Sequence, residues 1–570
     1  MKVLLAAVNA KYIHTSLSVR SLYHYAAAPD TAFCEFTINE RSADVLSKIY
    51  CGHYDAVLFS CYIWNIDFIL EISENLKKIS PRTLIILGGP EVSFDSIYYM
   101  EKYPYIDGII RGEGEETFKE FIKNGLDIDG VTLRKGGKVT ANRDREPICD
   151  ISTIPFPYTD ADLEENKNKL IYYESSRGCP FKCSYCLSSV SHGLRTRNTE
   201  LVKKELMTFI SHKVRIVKFV DRTFNADRKR TVELLRFLTD NAAQTEFHFE
   251  IEADLINDEI ISELKRAPSG LFRLEIGIQS TNPDTVCAVD RNADLQKIAD
   301  TVRRIKAECK AHVHLDLIAG LPYEDINSFK KSFNDVFALK ADVMQLGFLK
   351  LLRGTKIRNE EHKYGYKYMS RPPYEILKND FLSYDDILLL KGIENVFERY
   401  WNSGVFRRGI EHLLRKYPSP FDFFKSLWEF FKNSGYADIG VSRLNLYGIL
   451  CEFEGGYDEP FRDLLKLDYF ENNKGATTPK WSLIPYDKSL LKTRFDILSE
   501  DFIHEYLPEY CGIPPKEAVK SLHFERFLYI GDKRCDSIVI FDNRHGHIIR
   551  VCDNADAPRR TERIEANRPL

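Results

Sequence analysis

Apolar and polar positions along this chain follow two rhythms. Residues 3–8, 56–60 and 83–87 are nearly unbroken apolar runs bounded by polar positions, the pattern of strands buried on both faces, and 106–110 is a shorter version. Between them, 66–79 places apolar residues at helical spacing around Glu71, Glu74, Lys77 and Lys78. Strands alternating with helices predict a doubly wound parallel sheet over residues 1–140. From 170 to 365 the alternation resumes. Strands are expected at 170–176, 215–220, 246–252, 271–277, 313–318 and 343–349, with helices at 200–210, 229–242, 256–265, 295–309 and 329–339. About six such units make a partial, open (β/α)6 barrel, with functional residues at the carboxyl ends of its strands.

The segment between these domains, 141–169, carries Pro147, Pro155, Pro157 and a charged run at 164–169, and reads as a linker with a solvated face. Beyond about residue 366 the texture is mainly α-helical and crowded with aromatics. Apolar positions recur at helical spacing over 393–401, 406–414 and 420–432, a stripe of the kind that usually forms core. A small hairpin is expected at 537–542 with 548–551, and the last dozen residues are expected to fray.

Composition narrows the class. A chain of 570 residues with 44% hydrophobic and 29% charged positions is an ordinary globular protein of several domains. Its net charge of -4 gives no general pull toward nucleic acid or anionic membrane, and no basic cluster with interleaved aromatics suggests RNA. No apolar run approaches the ~20 residues that span a bilayer. Lys11 and His14 interrupt the apolar start, which reads as a strand rather than a leader, so a cytoplasmic location is expected. Thirteen cysteines in that setting are free thiols or metal ligands.

Three of them stand together in Ser176-Arg-Gly-Cys-Pro-Phe-Lys-Cys-Ser-Tyr-Cys-Leu-Ser188, so Cys179, Cys183 and Cys186 are spaced C-x3-C-x2-C. Electron-transfer [4Fe-4S] clusters use four cysteines. Three thiolates on one loop would leave one iron without a protein ligand, free to bind a substrate or cofactor. A structural zinc site is the alternative, with His192 as fourth ligand, but C-x3-C-x2-C-x5-H is not a common zinc spacing.

This spacing, with Tyr185 before the third cysteine, resembles the radical S-adenosylmethionine (SAM) superfamily. That resemblance implies that the open iron chelates SAM and that one electron splits it to a 5′-deoxyadenosyl radical. Glu250, Gln279, Arg291 and Asp316, in the contexts Phe-Glu-Ile-Glu, Glu-Ile-Gly-Ile-Gln-Ser, Val-Asp-Arg-Asn and Asp-Leu-Ile-Ala-Gly-Leu-Pro, match the SAM-contacting positions of relatives such as the oxygen-independent coproporphyrinogen oxidases. Glu250 would hold the ribose hydroxyls, and the other three would orient the ribose and the methionine end. Asp221 and Asn225 resemble the D-x-x-F-N pattern of cobalamin-linked members, and Glu275 could serve SAM or the substrate. Arg195 and Arg197, just past the loop, could supply positive charge or pair with acids.

The four strand ends of the first domain begin at Asn9, Ser60, Gly88-Gly89 and Arg111-Gly-Glu113, and together resemble the cobalamin (B12)-binding Rossmann-like domain that precedes many radical SAM modules. They imply Asn9, Ser60, Gly88, Gly89 and Glu113 as cofactor contacts. The family's Asp-x-His-x-x-Gly motif is missing and His14 lacks its flanking residues, so a cobalt without a protein imidazole is expected. The helical C-terminal third is similar to a domain of uncharacterised function found in one subgroup. The resemblance as a whole implies a cobalamin-dependent radical SAM enzyme acting on a small molecule, with methylation of an unactivated carbon as the first expectation. Radical cyclisation or rearrangement of the tetrapyrrole-cyclase type, and a non-catalytic cobalamin or redox sensor, are the alternatives. An external one-electron donor, flavodoxin or ferredoxin, is implied.

Overall fold

The computed structural model describes residues 1–190, 193–242, 244–531, 534–552 and 561–565, and the chain forms two compact units, 1–387 and 388–570. The first unit opens with strands β1 (Val3–Asn9), β2 (Thr31–Thr37), β3 (Ala56–Ser60), β4 (Leu84–Gly88) and β5 (Gly108–Ile110), followed by β6 (Val131–Lys135) and β7 (Lys138–Ala141). Their order is β2-β1-β3-β4-β5-β6-β7, parallel as far as β5 and antiparallel beyond it. Alternate residues of β1 enter different cores: Leu4, Ala6 and Val8 on one face, Val3, Leu5 and Ala7 on the other. Both faces are therefore covered, and this is why the runs are continuously apolar. Edge strand β2 is only half-buried and carries Glu35, so it left no such run in the sequence.

The linker is folded. Helix Asp160–Asn166 begins on a Thr159 capping box, and Asp162 bonds Arg20 of the first domain at 2.7 Å. After it come β8 (Leu170–Tyr173), β9 (Ser176–Arg177), β10 (Arg195–Thr196), β11 (Ile216–Phe219), β12 (Glu246–Ile251), β13 (Phe272–Gln279), β14 (His312–Ala319) and β15 (Val343–Phe348). Six of these form one parallel sheet in the order β15-β14-β13-β12-β11-β8, the partial barrel. Burial alternates strictly along β13, with Leu274, Ile276 and Ile278 buried under helices and Glu275, Gly277 and Gln279 on the other face. That other face also carries Lys218, His248, Glu250, His314 and Asp316, so it is polar where a closed barrel would be filled with branched apolar side chains. The strip β16 (Lys367–Tyr368) with β17 (Ile376–Lys378) follows.

The second unit contains helices Arg407–Leu414, Pro420–Asn433, Arg443–Glu454 and Glu459–Asn472. Phe421, Phe423, Phe424 and Phe431 of the aromatic stripe are fully buried, so that stripe is core. A cavity of about 430 Å³ lies among Tyr436, Tyr469 and Trp481. The expected C-terminal hairpin is the centre of a larger antiparallel sheet, β18 (Leu522–Tyr529), β19 (Arg534–Asp542), β20 (Ile548–Cys552) and β21 (Thr561–Ile564). Part of the tail expected to fray is therefore strand β21, paired to β20, and the rest of that tail lies outside the described residues. Among the described residues no helix is long and apolar enough to cross a membrane.

Candidate functional site

The loop carrying Cys179, Cys183 and Cys186 leaves the sheet after β8 and is closed at its neck by the antiparallel pair β9·β10. Gly178 stands at φ +98°, and a Cβ there would lie 1.9 Å from the carbonyl oxygen of Gly193, so the two limbs of the neck meet backbone to backbone. All three cysteines are free thiols, Cys183 buried and the other two half-buried. Each sulfur has a polar group nearby. Cys179 Sγ lies 3.4 Å from Thr223 Oγ1, Cys186 Sγ accepts from the Ser188 N–H at 3.4 Å, and Arg291 Nη1 lies 3.9 Å from Cys183 Sγ. Burial pushes the Cys183 thiol up, while Arg291 pulls it down. Among the described residues, no group of three His, Cys, Asp or Glu side chains is placed to hold a single metal ion. His192, the fourth ligand of the zinc alternative, lies outside the described residues.

Arg291 joins the loop to the sheet. Its Nη2 bonds both oxygens of Glu252, at 2.7 and 2.9 Å, and the Gly277 carbonyl at 2.5 Å. Glu252 was not singled out in the sequence. The available signal was its place two residues after Glu250, on the same face of the strand end. Gln279 follows a register shift in β13 and sits at φ +70°, a conformation that costs a non-glycine residue roughly 1–3 kcal/mol. A side chain on Gly277 would displace the Gln279 amide from its present place. Gln279 Oε1 and Arg291 Nε are buried and have no hydrogen-bond partner among the described residues. A polar ligand would satisfy both, which is what the methionine end and ribose of SAM would offer.

Glu250 lies 3.9 Å from Arg222, and burial raises its carboxyl pKa. Asp316 Oδ1 is 3.1 Å from His314 Nε2. Glu275 lies deeper in the polar face. Lys218 Nζ and His248 Nε2 both approach its Oε2 at 2.8 Å. Burial opposes its charge, but His248 and Lys218 outweigh burial and hold the carboxyl well below the usual range. Tyr185 is near Cys183 and Arg291, and burial raises its pKa.

Asp221 and Asn225 act on the backbone. Fully buried Asp221 accepts from Ser175 N at 2.8 Å and Ser175 Oγ at 2.6 Å, fixing the chain just before the cysteine loop. Asn225 Nδ2 donates to Glu252 O at 2.7 Å and its Oδ1 accepts from Glu252 N at 2.9 Å, which fixes the end of β12. Arg195 and Arg197 both pair with acids: Arg195 with Glu113, and Arg197 with Glu205 at 2.5 Å.

The strand ends of the first domain form a second candidate surface. Gly89 is at φ +105°, and a Cβ there would meet Cys61 O at 2.6 Å, so β3 and β4 end in close backbone contact. Asn65 Nδ2 donates to Val8 O and Ser60 O, at 3.0 and 2.9 Å, tying the ends of β1 and β3 together. Tyr62 and Trp64 stack at 4.4 Å, with Trp64 48% exposed. A flat ring beside bare backbone suits a large planar ligand. Asn9 Nδ2 donates to Glu35 and to His14 O, and Glu113 is engaged with Arg177 and Arg195. His14 Nδ1 is 2.9 Å from the Tyr172 hydroxyl, which joins the first domain to β8.

Comparison with known proteins fits this layout. Residues 3–122 match the B12 binding domain, residues 173–336 the Radical SAM superfamily, and residues 362–541 a protein family of unknown function, DUF4080. The chain thus carries, in order, a B12-binding domain, a radical SAM domain and a C-terminal domain of unknown function. It is 28% identical over 299 residues to the 2-(S-pantetheinyl)-carbapenam-3-carboxylate methyltransferase of Streptantibioticus cattleyicolor, covering 48% of this chain and 44% of that protein. The cobalamin-dependent radical SAM methyltransferase TokK of Streptomyces tokunonensis is 27% identical over 299 residues, with the same coverage. The chain thus spans less than half the length of these two relatives. An anaerobic magnesium-protoporphyrin IX monomethyl ester cyclase of Cereibacter sphaeroides is 21% identical over 480 residues, 79% of this chain and 71% of that protein. Among solved structures, the cobalamin-dependent SAM radical enzyme OxsB shares the fold with a TM-score of 0.60 at 14% identity, over 87% of this chain and 84% of that one.

Proposed function

We propose that the chain is a cobalamin-dependent radical SAM enzyme that methylates an unactivated carbon of a small molecule. The observation that carries this is one continuous polar site in which the three-cysteine loop, Arg291, Glu252 and the strained Gln279 converge. When bound, a [4Fe-4S] cluster would supply the electron that splits SAM to a 5′-deoxyadenosyl radical, and cobalamin would supply the methyl group. Cys179, Cys183 and Cys186 would hold the cluster, and the Ser188 N–H and Arg291 balance the charge of their sulfurs. Gln279 and Arg291 carry buried, unsatisfied polar atoms that SAM would satisfy, and Glu250 and Asp316, on the same face of the sheet, would receive its hydroxyls. Asn9, Ser60, Gly88 and Gly89 would be the contacts of the first domain with cobalamin. The sequence carries no Asp-x-His-x-x-Gly motif, so the cobalt would lack a protein imidazole. A flavodoxin or ferredoxin would deliver the electron, in the cytoplasm.

Cyclisation is the second reading, favoured by the longer alignment with the magnesium-protoporphyrin ester cyclase. The charged face around Lys218, His248 and Glu275 is poorly suited to an apolar macrocycle and favours a polar substrate. Anaerobic incubation of the reconstituted chain with SAM and dithionite tests the proposal. The enzyme reading expects 5′-deoxyadenosine by liquid chromatography and mass spectrometry, abolished by Cys183→Ser. Bound cofactors with no 5′-deoxyadenosine would leave the sensor reading in its place.

A further inference from the structure

The neck of the cysteine loop is fastened to the first domain by charge. β9 and β10 place Arg177 opposite Arg195, one on each limb of the loop that carries the cysteines. Two arginines facing each other would repel, yet both turn to the same carboxylate. Glu113 Oε1 is 2.5 Å from Arg195 Nη2, and Glu113 Oε2 is 3.1 Å from Arg177 Nη1. Arg177 Nη2 also bonds Glu115 Oε1 and Glu174 Oε2, each at 2.7 Å. The backbone takes part as well: Arg195 Nη1 donates to Ile148 O at 2.6 Å, and the Ile148 N–H donates to Glu113 Oε2 at 3.0 Å. Arg177, Arg195, Glu113, Glu115 and Glu174 are all at most 24% exposed, so water replaces these bonds poorly.

Glu113 lies in the turn at the carboxyl end of β5 and Glu115 opens the helix that follows it, Glu115–Asn124; that strand end is one of the four that form the candidate ligand face of the first domain. We propose that Arg177 and Arg195 are positioning residues, which use Glu113 and Glu115 to hold the cysteine loop in register with the ligand face of the first domain. Glu113 then serves this joint rather than contacting a cofactor directly. Loop order and occupancy of the first domain become linked, because whatever fixes the β5 turn also fixes the neck. The consequence for cluster assembly rests on the radical SAM reading, whereas the joint itself is a property of the metal-free chain.

The test is amide hydrogen exchange, read by mass spectrometry, on the metal-free full chain under argon. Glu113→Gln and Arg195→Met should each speed exchange in residues 178–190 by about tenfold or more, the expected loss for a hydrogen bond to a charged group. Exchange in β12–β14 should stay unchanged. Arg195→Lys keeps the charge but loses the two-pronged grip, so it should fall between wild type and Arg195→Met and covers the case of a glutamate variant that unfolds. Loop exchange equal to wild type in Arg195→Met and Arg195→Lys would overturn the proposal. A wild-type chain that takes up no iron would instead refute the cluster reading and leave the exchange result standing.

Discussion

Replacing Arg291 by methionine separates two roles that the structure assigns to one side chain. Arg291 and Glu252 are 9% and 10% exposed, and the guanidinium makes two close contacts with the carboxylate. Removing one partner of a buried pair strands the other charge, at a cost of about 3–5 kcal/mol. Arg291→Met should lower the stability of the metal-free chain by that amount in urea unfolding followed by circular dichroism. Adding Glu252→Gln removes the stranded charge and should recover most of the loss, because a neutral pair of similar size costs little. SAM binding should not recover, since Arg291 is also the group beside Cys183 and the carrier of an unsatisfied buried Nε. Equilibrium dialysis with labelled SAM should therefore show weak binding in both variants. A single variant that costs less than about 1 kcal/mol, or a double variant that binds SAM like wild type, would refute the reasoning.

Three further outcomes are expected. Glu324 is buried between Ser280 and Ser332, and burial raises its carboxyl pKa to about 7 against those hydrogen bonds. The unfolded carboxyl ionises near pH 4.5 while the folded one stays protonated, so stability falls as pH rises from about 4.5 to about 7, by about 3 kcal/mol, and Glu324→Gln should remove that slope in urea titrations. Gly178→Ala would drive a Cβ to 1.9 Å from Gly193 O, so it should lose most of its iron in a colorimetric assay while keeping wild-type circular dichroism. In the second unit, Lys466 and Glu525 are 0% and 1% exposed and 2.7 Å apart, so Lys466→Met should cost about 3–5 kcal/mol and Lys466→Met with Glu525→Met much less, by thermal unfolding.

The parts of this fold that the sequence made legible are those where one signal dominates. Apolar runs such as residues 56–60 mark central strands because both faces are covered, and the cysteine spacing is local to one loop. Strand β2 escaped notice because an edge strand can carry Glu35, whose carboxylate bonds Arg20 and the Ser16 N–H. Strand β18 escaped because His523, Glu525 and Arg526 interrupt its apolar positions, and their partners include residues far along the chain, Lys466 and Asp487. The joint at Arg177 was illegible for the same reason. Glu115 and Arg177 are 62 positions apart, and only the packing of the two domains brings them together. Asp221 and Asn225 show the converse, since a motif can mark residues that fix the backbone of a site as readily as residues that touch its ligand.

The central claim is a cluster held at three corners by this chain, with the fourth open to SAM. Electron paramagnetic resonance of the dithionite-reduced, anaerobically reconstituted protein, recorded with and without SAM, tests it most directly. The account predicts a [4Fe-4S]+ signal whose g values move when SAM is added, and no such signal in Cys179→Ser. A signal indifferent to SAM, or one that survives the loss of Cys179, would contradict it.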